Sequence, residues 1–255
     1  MSSVYSKRTA QEIIKYYGIT KPDEIEIEAI ALDRKVFVND IFIKGSVARL
    51  QVKRQHGIIS VNTNIKEPGK RRFAIAHELG HFELHKEKSK SNICSDKDFL
   101  NWYREKIDEN EANAFAAELL MPESIFREYC PRDLPSFTLI GNLAEIFKTS
   151  LTATAFRYVE LGHFPCALIA SVDGRIKWMS CSSDFPSRIL QIDTPVHKLS
   201  VAGSCLLGES APSLPELVEK SYWLESGNEN EDLKLHEHAV NLTTYNTILS
   251  LLFFN

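Results

Sequence analysis

The sequence has few cysteines, no long apolar run and no excess of positive charge, and each shortage narrows what the protein can be. Its five cysteines, Cys94, Cys130, Cys166, Cys181 and Cys205, are odd in number, widely spaced and never in a CxxC pair. That pattern argues against a disulfide framework or a cysteine-built zinc ribbon and points to a reducing cytoplasm. The most apolar window, the closing YNTILSLLFFN, is far shorter than the ~20 residues a membrane helix needs, so it reads as a buried strand and no membrane is expected as a partner. The N-terminal MSSVYSKRTAQEIIKYYG lacks the apolar core of a secretory leader, and its apolar residues fall at helical spacing instead. A formal net charge of -4 gives no global attraction to nucleic acid or anionic lipid. No internal repeat is visible.

What remains is an ordinary globular composition, 44% hydrophobic and 25% charged, in a chain long enough for two domains. The spacing predicts helices over Thr9 to Tyr17 and Ile25 to Leu32, then short β-branched runs at Val36 to Val38, Val47 to Val52 and Ile58 to Val61 that suggest a small meander. After a turn at Glu67-Pro68-Gly69, residues Arg71 to His85 read as a partly buried helix, and Lys86 to Ser95 as a polar surface connection. Ile107 to Leu120, alanine-rich and acidic at its start, reads as a further helix that stops at Met121-Pro122. Short helices at Leu139 to Phe147 and Thr152 to Leu161, joined by Lys148-Thr149-Ser150, outline a helix-turn-helix. Beyond them Cys166 to Val172, the Asp173-Gly174 turn and Arg175 to Ser180 read as a β-hairpin opening a second domain, in which Ser226 to Asp232 is an exposed loop.

The chemistry concentrates in His77-Glu78-Leu79-Gly80-His81. Residues four apart share a helix face, so His77 and His81 can aim two imidazoles at one point with Glu78 alongside. Two imidazoles and a carboxylate suit Zn2+ with a position left for water, whose pKa such a site lowers from 15.7 toward ~7. Glu78 is the candidate general base, taking the water's proton and passing it to a leaving amine, so the expected reaction is peptide hydrolysis. HExxH alone is moderately specific; here it lies on a predicted helix, Gly80 lowers helix propensity with no packing role visible in the sequence, and an acidic helix follows. Glu111 is the expected third ligand because it shares a face with the apolar Phe115 and Leu119. Glu109, facing differently, is the main competitor, and Asp108 lies nearer the helix end. His85 reads as a structural or supporting residue. Cys94, between the two ligand-bearing helices, is a candidate inhibitory ligand in the water's position.

At RRFAIAHELGHFELH, residues Arg71 to His85, and EANAFAAELLMP, residues Glu111 to Pro122, the sequence resembles the ImmA/IrrE family of zinc metallopeptidases. The likeness extends over roughly residues 9 to 165, while the tail resembles the GAF-like sensor domain of longer members. The resemblance implies an α+β fold: a zincin-like metallopeptidase domain over 1-133, a helix-turn-helix-like segment over 134-163 and a GAF-like α/β domain over 164-255. It implies Zn2+ on His77, His81 and Glu111, with Glu78 catalytic. It also implies an endopeptidase that cleaves a helix-turn-helix repressor and so derepresses stress, mobile-element or anti-phage genes, gated by single-stranded DNA or another damage signal.

The rival reading is a DNA-binding or repressor-sequestering regulator without peptidase activity. Its would-be recognition helix, TATAFRYVELG, offers only Arg157 as a cation, which is poor for reading DNA. In the tail, Trp178 and Trp223 read as core, His236 and His238 as surface residues, and Cys166, Cys181 and Cys205 as small buried side chains. Tyr103 is a candidate for oxyanion stabilisation.

Overall fold

A computed structural model describes residues 2–85, 92–94, 107–186, 188–225, 233–242 and 246–255. The chain divides into two compact units, one of residues 1–129 and 144–153, the other of 130–143 and 154–255.

The first unit opens with α1 (Ser2–Tyr16), seven residues ahead of its expected start, followed by a short 3-10 turn at Pro22–Glu24 and α2 (Ile27–Asp33). Strands β1 (Val36–Ile41), β2 (Ala48–Lys53), β3 (His56–Asn62) and β4 (Asn92–Cys94) form one sheet in the order β1-β3-β2-β4. The expected meander is therefore wrong in connectivity: β1 lies parallel to β3, and only β2 is antiparallel to it. The β1–β2 connection is held at the end of β3 by the Asn62 side chain, whose Nδ2 donates to the carbonyls of Ile43 and Ser46 at 2.5 and 2.6 Å. In this order β3, more buried than β1 or β2, lies inside the sheet with a neighbour on each side. Residues Asn92–Cys94, expected within a polar connection, add β4 to the edge of β2.

Helix α3 (Pro68–His85) carries the HELGH sequence and is buried without a break from Phe73 to Phe82. It begins three residues earlier than expected because Pro68 and Gly69 enter its first turn rather than precede it. Proline loses nothing there, since a first-turn N–H has no intrahelical partner. Gly69 allows the backbone of Thr149 and Ser150 to press against that turn, where a Cβ would collide. Helix α4 (Ile107–Leu120) packs on α3 and α1, with Gln11 Nε2 donating to the buried Glu118 at 2.9 Å. Arg34, capping α2, makes a two-pronged ion pair with Glu83 of α3 at 2.8 and 2.7 Å. The unit is completed by α5 (Glu123–Tyr129), the end of α6 (Phe137–Phe147) and the start of α7 (Leu151–Leu161). Phe147 sits 5.3 Å, ring to ring, from Phe126.

The second unit holds a five-stranded antiparallel sheet in the order β6-β5-β9-β8-β7, built from β5 (Cys166–Val172), β6 (Arg175–Cys181), β7 (Glu216–Val218), β8 (Leu235–Leu242) and β9 (Thr247–Phe254). The expected Asp173-Gly174 turn joins β5 and β6 with both residues at positive φ, 51° and 71°, as a tight hairpin turn requires. The closing apolar segment is the buried β9. Helix α8 (Val201–Leu206) covers one face of the sheet over a core containing Ile169, Ile176, Leu252 and the fully buried Trp223.

Candidate metal centre

Helix α3 buries three polar side chains in succession: His77 and His81 are 5% and 0% exposed, and Glu78 is 0% exposed. Burying imidazole and carboxylate groups is costly unless they serve one another or a ligand, so their clustering marks a functional site. The two Nε2 atoms stand 3.0 Å apart. Glu109 Oε2, from the first turn of α4, lies 3.1 Å from His77 Nε2 and 3.4 Å from His81 Nε2. The opposite edge of His77 is held by Asn113, whose Oδ1 lies 2.8 Å from Nδ1.

These atoms fit a metal ion. In a tetrahedral zinc site, ligands at ~2.0–2.2 Å from the ion stand about 3.3–3.6 Å from one another. The observed edges of 3.0, 3.1 and 3.4 Å come close to that range, two of them slightly short of it. The proton inventory agrees. If His77 donates its Nδ1–H to Asn113, its Nε2 presents a lone pair to a carboxylate oxygen, and two acceptors face each other across 3.1 Å. A cation among the three atoms relieves that conflict. Burial pushes the Glu109 carboxyl up, but where His77 and His81 carry their Nε2 protons, hydrogen bonds and charge from these rings outweigh it and hold it below the usual carboxylate range; a cation would take the place of those protons.

The structure brings Glu109, not Glu111, to the histidine pair. Glu111 Oε2 instead lies 3.2 Å from His85 Nε2, with Asp108 Oδ1 at 3.9 Å from the same atom. The reason is where the helices touch. A Cβ on Gly80 would stand 3.2 Å from the backbone of Ala112 and 3.0 Å from the Phe115 ring, so α3 and α4 meet most closely at small residues. Side chains flanking that contact diverge, Glu109 and Asn113 toward His77 and His81, Asp108 and Glu111 toward His85. Phe115 and Leu119 are buried as expected, but the face they share with Glu111 does not point at the histidine pair. Gly80 thus has the packing role that was not visible in the sequence.

Asn113 went unnoticed in the sequence. The available signal was an amide four residues after Glu109, hence on its face, in a helix otherwise rich in alanine. Cys94 pairs through its backbone with Ala48; its side chain, and the whole of Tyr103, lie outside the described residues, as does the loop expected at Ser226 to Asp232. Arg157 is 1% exposed and donates to Glu160 at 2.8 Å, so the one cation of the supposed recognition helix is withdrawn from phosphate. In the second unit Trp223 is core, as expected, while Trp178 is partly exposed and stacks on Phe156. His238, expected at the surface, is 4% exposed, and Cys181, expected to be buried, is exposed.

Fold and site together describe a mixed helix-and-sheet metallopeptidase domain, and the comparisons agree. Residues 31–158 match the Peptidase_M78 model, the IrrE N-terminal-like domain, and the chain belongs to that family. It is a metalloprotease of the ImmA/IrrE type. It is 26% identical over 159 residues to the metallopeptidase ImmA of Bacillus subtilis, covering 62% of this chain and 86% of that protein. It is 27% identical over 132 residues to the radiation response metalloprotease IrrE of Deinococcus radiodurans, covering 51% of this chain and 39% of that protein. A Mycobacterium tuberculosis transcriptional regulator shares the fold, with TM-score 0.63 at 14% identity over 98% of this chain and 87% of that one. Among the described residues no helix is long and apolar enough to cross a membrane.

Proposed function

We propose that the protein is a zinc-dependent endopeptidase that cleaves a helix-turn-helix transcriptional repressor in the cytoplasm, and so derepresses stress, mobile-element or anti-phage genes. The observation that carries the reading is the convergence of His77 Nε2, His81 Nε2 and Glu109 Oε2 within 3.4 Å beside the buried Glu78. His77, His81 and Glu109 would hold the ion. When bound, zinc supplies Lewis-acid polarisation of the scissile carbonyl and lowers the pKa of water. Glu78, next to His77 on the same helix, accepts the proton of the attacking water and returns it to the leaving amine. The second unit is read as a GAF-like sensor that receives the activating signal, single-stranded DNA or another product of damage. The names of the relatives, a metallopeptidase and a radiation response metalloprotease, support peptidase chemistry under stress control.

The test incubates the zinc-loaded protein and its Glu78→Gln variant with the repressor encoded beside it, with and without single-stranded DNA, and reads products by mass spectrometry. Cleavage at a defined bond by the wild type alone is the expected result. A stable complex with the repressor, zinc bound and no cleavage in either condition, would instead identify a sequestering regulator.

A further inference from the structure

We propose that Asn113 is a positioning residue of the metal centre: by accepting the Nδ1–H of His77 it fixes the tautomer whose Nε2 lone pair faces Glu109 and His81, and so sets the affinity for the ion. The inference rests on the reading of these residues as ligands.

Three observations carry it. Asn113 is 5% exposed, so its amide has little access to water as an alternative partner. Its Oδ1 lies 2.8 Å from His77 Nδ1, a short contact for a neutral pair. It stands four residues after Glu109 on α4, so one face of one helix supplies both the carboxylate that meets Nε2 and the acceptor that meets Nδ1. His77 is thereby gripped at both ring nitrogens by a single element. His81 differs: its Nδ1 has no hydrogen-bond partner among the described residues. The orientation of the imidazole pair therefore depends on Asn113 at one ring.

A free neutral imidazole exchanges its proton between the two nitrogens, and only the form with Nδ1–H can ligate through Nε2. An acceptor at Nδ1 removes the cost of selecting that form and fixes the ring plane. Outer partners of this kind change metal affinity by about 10- to 100-fold when removed. Aspartate offers an equivalent oxygen at the same place, whereas leucine fills the volume and offers none.

The experiment compares wild type, Asn113→Asp, Asn113→Ala and Asn113→Leu as full-length proteins. Zinc affinity is measured by competition with a chromophoric chelator, and the His77 Nδ1–H of the zinc-loaded protein by its proton resonance and its rate of exchange with water. Circular dichroism and thermal melting report folding. Wild type and Asn113→Asp are expected to show a slowly exchanging Nδ1–H and to bind zinc within about threefold of each other, with Asn113→Leu folded, faster in that exchange and weaker by about 10- to 100-fold. Equal zinc affinity in Asn113→Leu, or an Nδ1–H that exchanges no faster there, overturns the proposal. If Asn113→Leu fails to fold, an Nδ1–H in the zinc-loaded wild type that exchanges as fast as in Asn113→Ala, or loss of affinity in Asn113→Asp equal to that of Asn113→Ala, does so. None of these readouts involves cleavage, so an inactive wild type that binds zinc would count against the proposed function alone.

Discussion

Gly80 carries two opposing effects, and their sizes decide what a substitution there would do. Alanine is favoured over glycine in a helix by about 1 kcal/mol. The added Cβ would stand 3.0 Å from the Phe115 ring and 3.2 Å from the Ala112 backbone, so α4 itself must yield. Overpacking of that kind costs about 1–3 kcal/mol, and here it acts on the helix that delivers Glu109 and Asn113. Gly80→Ala is expected to lower stability in denaturant titration and to weaken zinc binding together; a more stable variant with unchanged affinity would mean that α4 does not press on α3 as described. Glu237 poses a comparable question in the second unit. Its buried carboxylate accepts from the backbone of Val201 and Ala202, from Trp223 Nε1 and from Ser250 Oγ, all at 2.8–3.0 Å. Burial pushes its pKa up despite those donors. Glu237→Gln turns an amide NH2 toward a backbone N–H whichever way the amide is placed, Val201 and Trp223 on one side or Ala202 on the other, and is expected to cost about 1–3 kcal/mol, read by thermal melting.

Among the elements, β8 shows how strand alternation sorts residues that look alike in the sequence. His236 and His238 flank Glu237, so they point to the face opposite it. His236 stacks on Phe253 at 5.2 Å, and His238 is drawn inward by two hydrogen bonds. Its Nδ1 accepts from Phe137 N at 3.0 Å, and its Nε2–H donates to the Pro212 carbonyl at 3.1 Å. Burial lowers the His238 pKa against the opposing effect of Pro212, so the folded state favours the neutral ring. Its contribution to stability is then present above the unfolded value of about 6.5 and is lost as the pH falls from there through the lowered folded value. Denaturant titrations across that range should show stability falling, with a shallower slope in His238→Gln; identical slopes would remove His238 from the account. None of this was legible locally, because Phe137 and Pro212 are brought to β8 only by tertiary folding. Helices with strong end signals fared better: Ile107–Leu120 has the bounds that its acidic start and Met121-Pro122 stop imply. The start of α3 was missed because Pro68-Gly69 suits a turn and a helix N-terminus equally well.

At the scale of the whole molecule, most helices and strands up to β6 could be read along the chain, but β4, α5 and α8 could not, nor could the pairing of β1 with β3. Parallel pairing leaves no turn signal, and the contacts that settle it, from Asn62 to Ile43 and Ser46, involve a side chain with no pattern to mark it. The metal centre divides the same way. His77, Glu78 and His81 lie within five residues of one helix, and spacing alone was enough to name them as candidates. The third candidate ligand depends on how two helices cross, and the shared face of α4 together with the family resemblance had selected Glu111. Equilibrium dialysis against zinc, with metal counted per chain in the wild type, Glu109→Gln and Glu111→Gln, tests this most directly. The account predicts one tightly held zinc in the wild type and in Glu111→Gln, and its loss in Glu109→Gln. Retention in Glu109→Gln with loss in Glu111→Gln would contradict it.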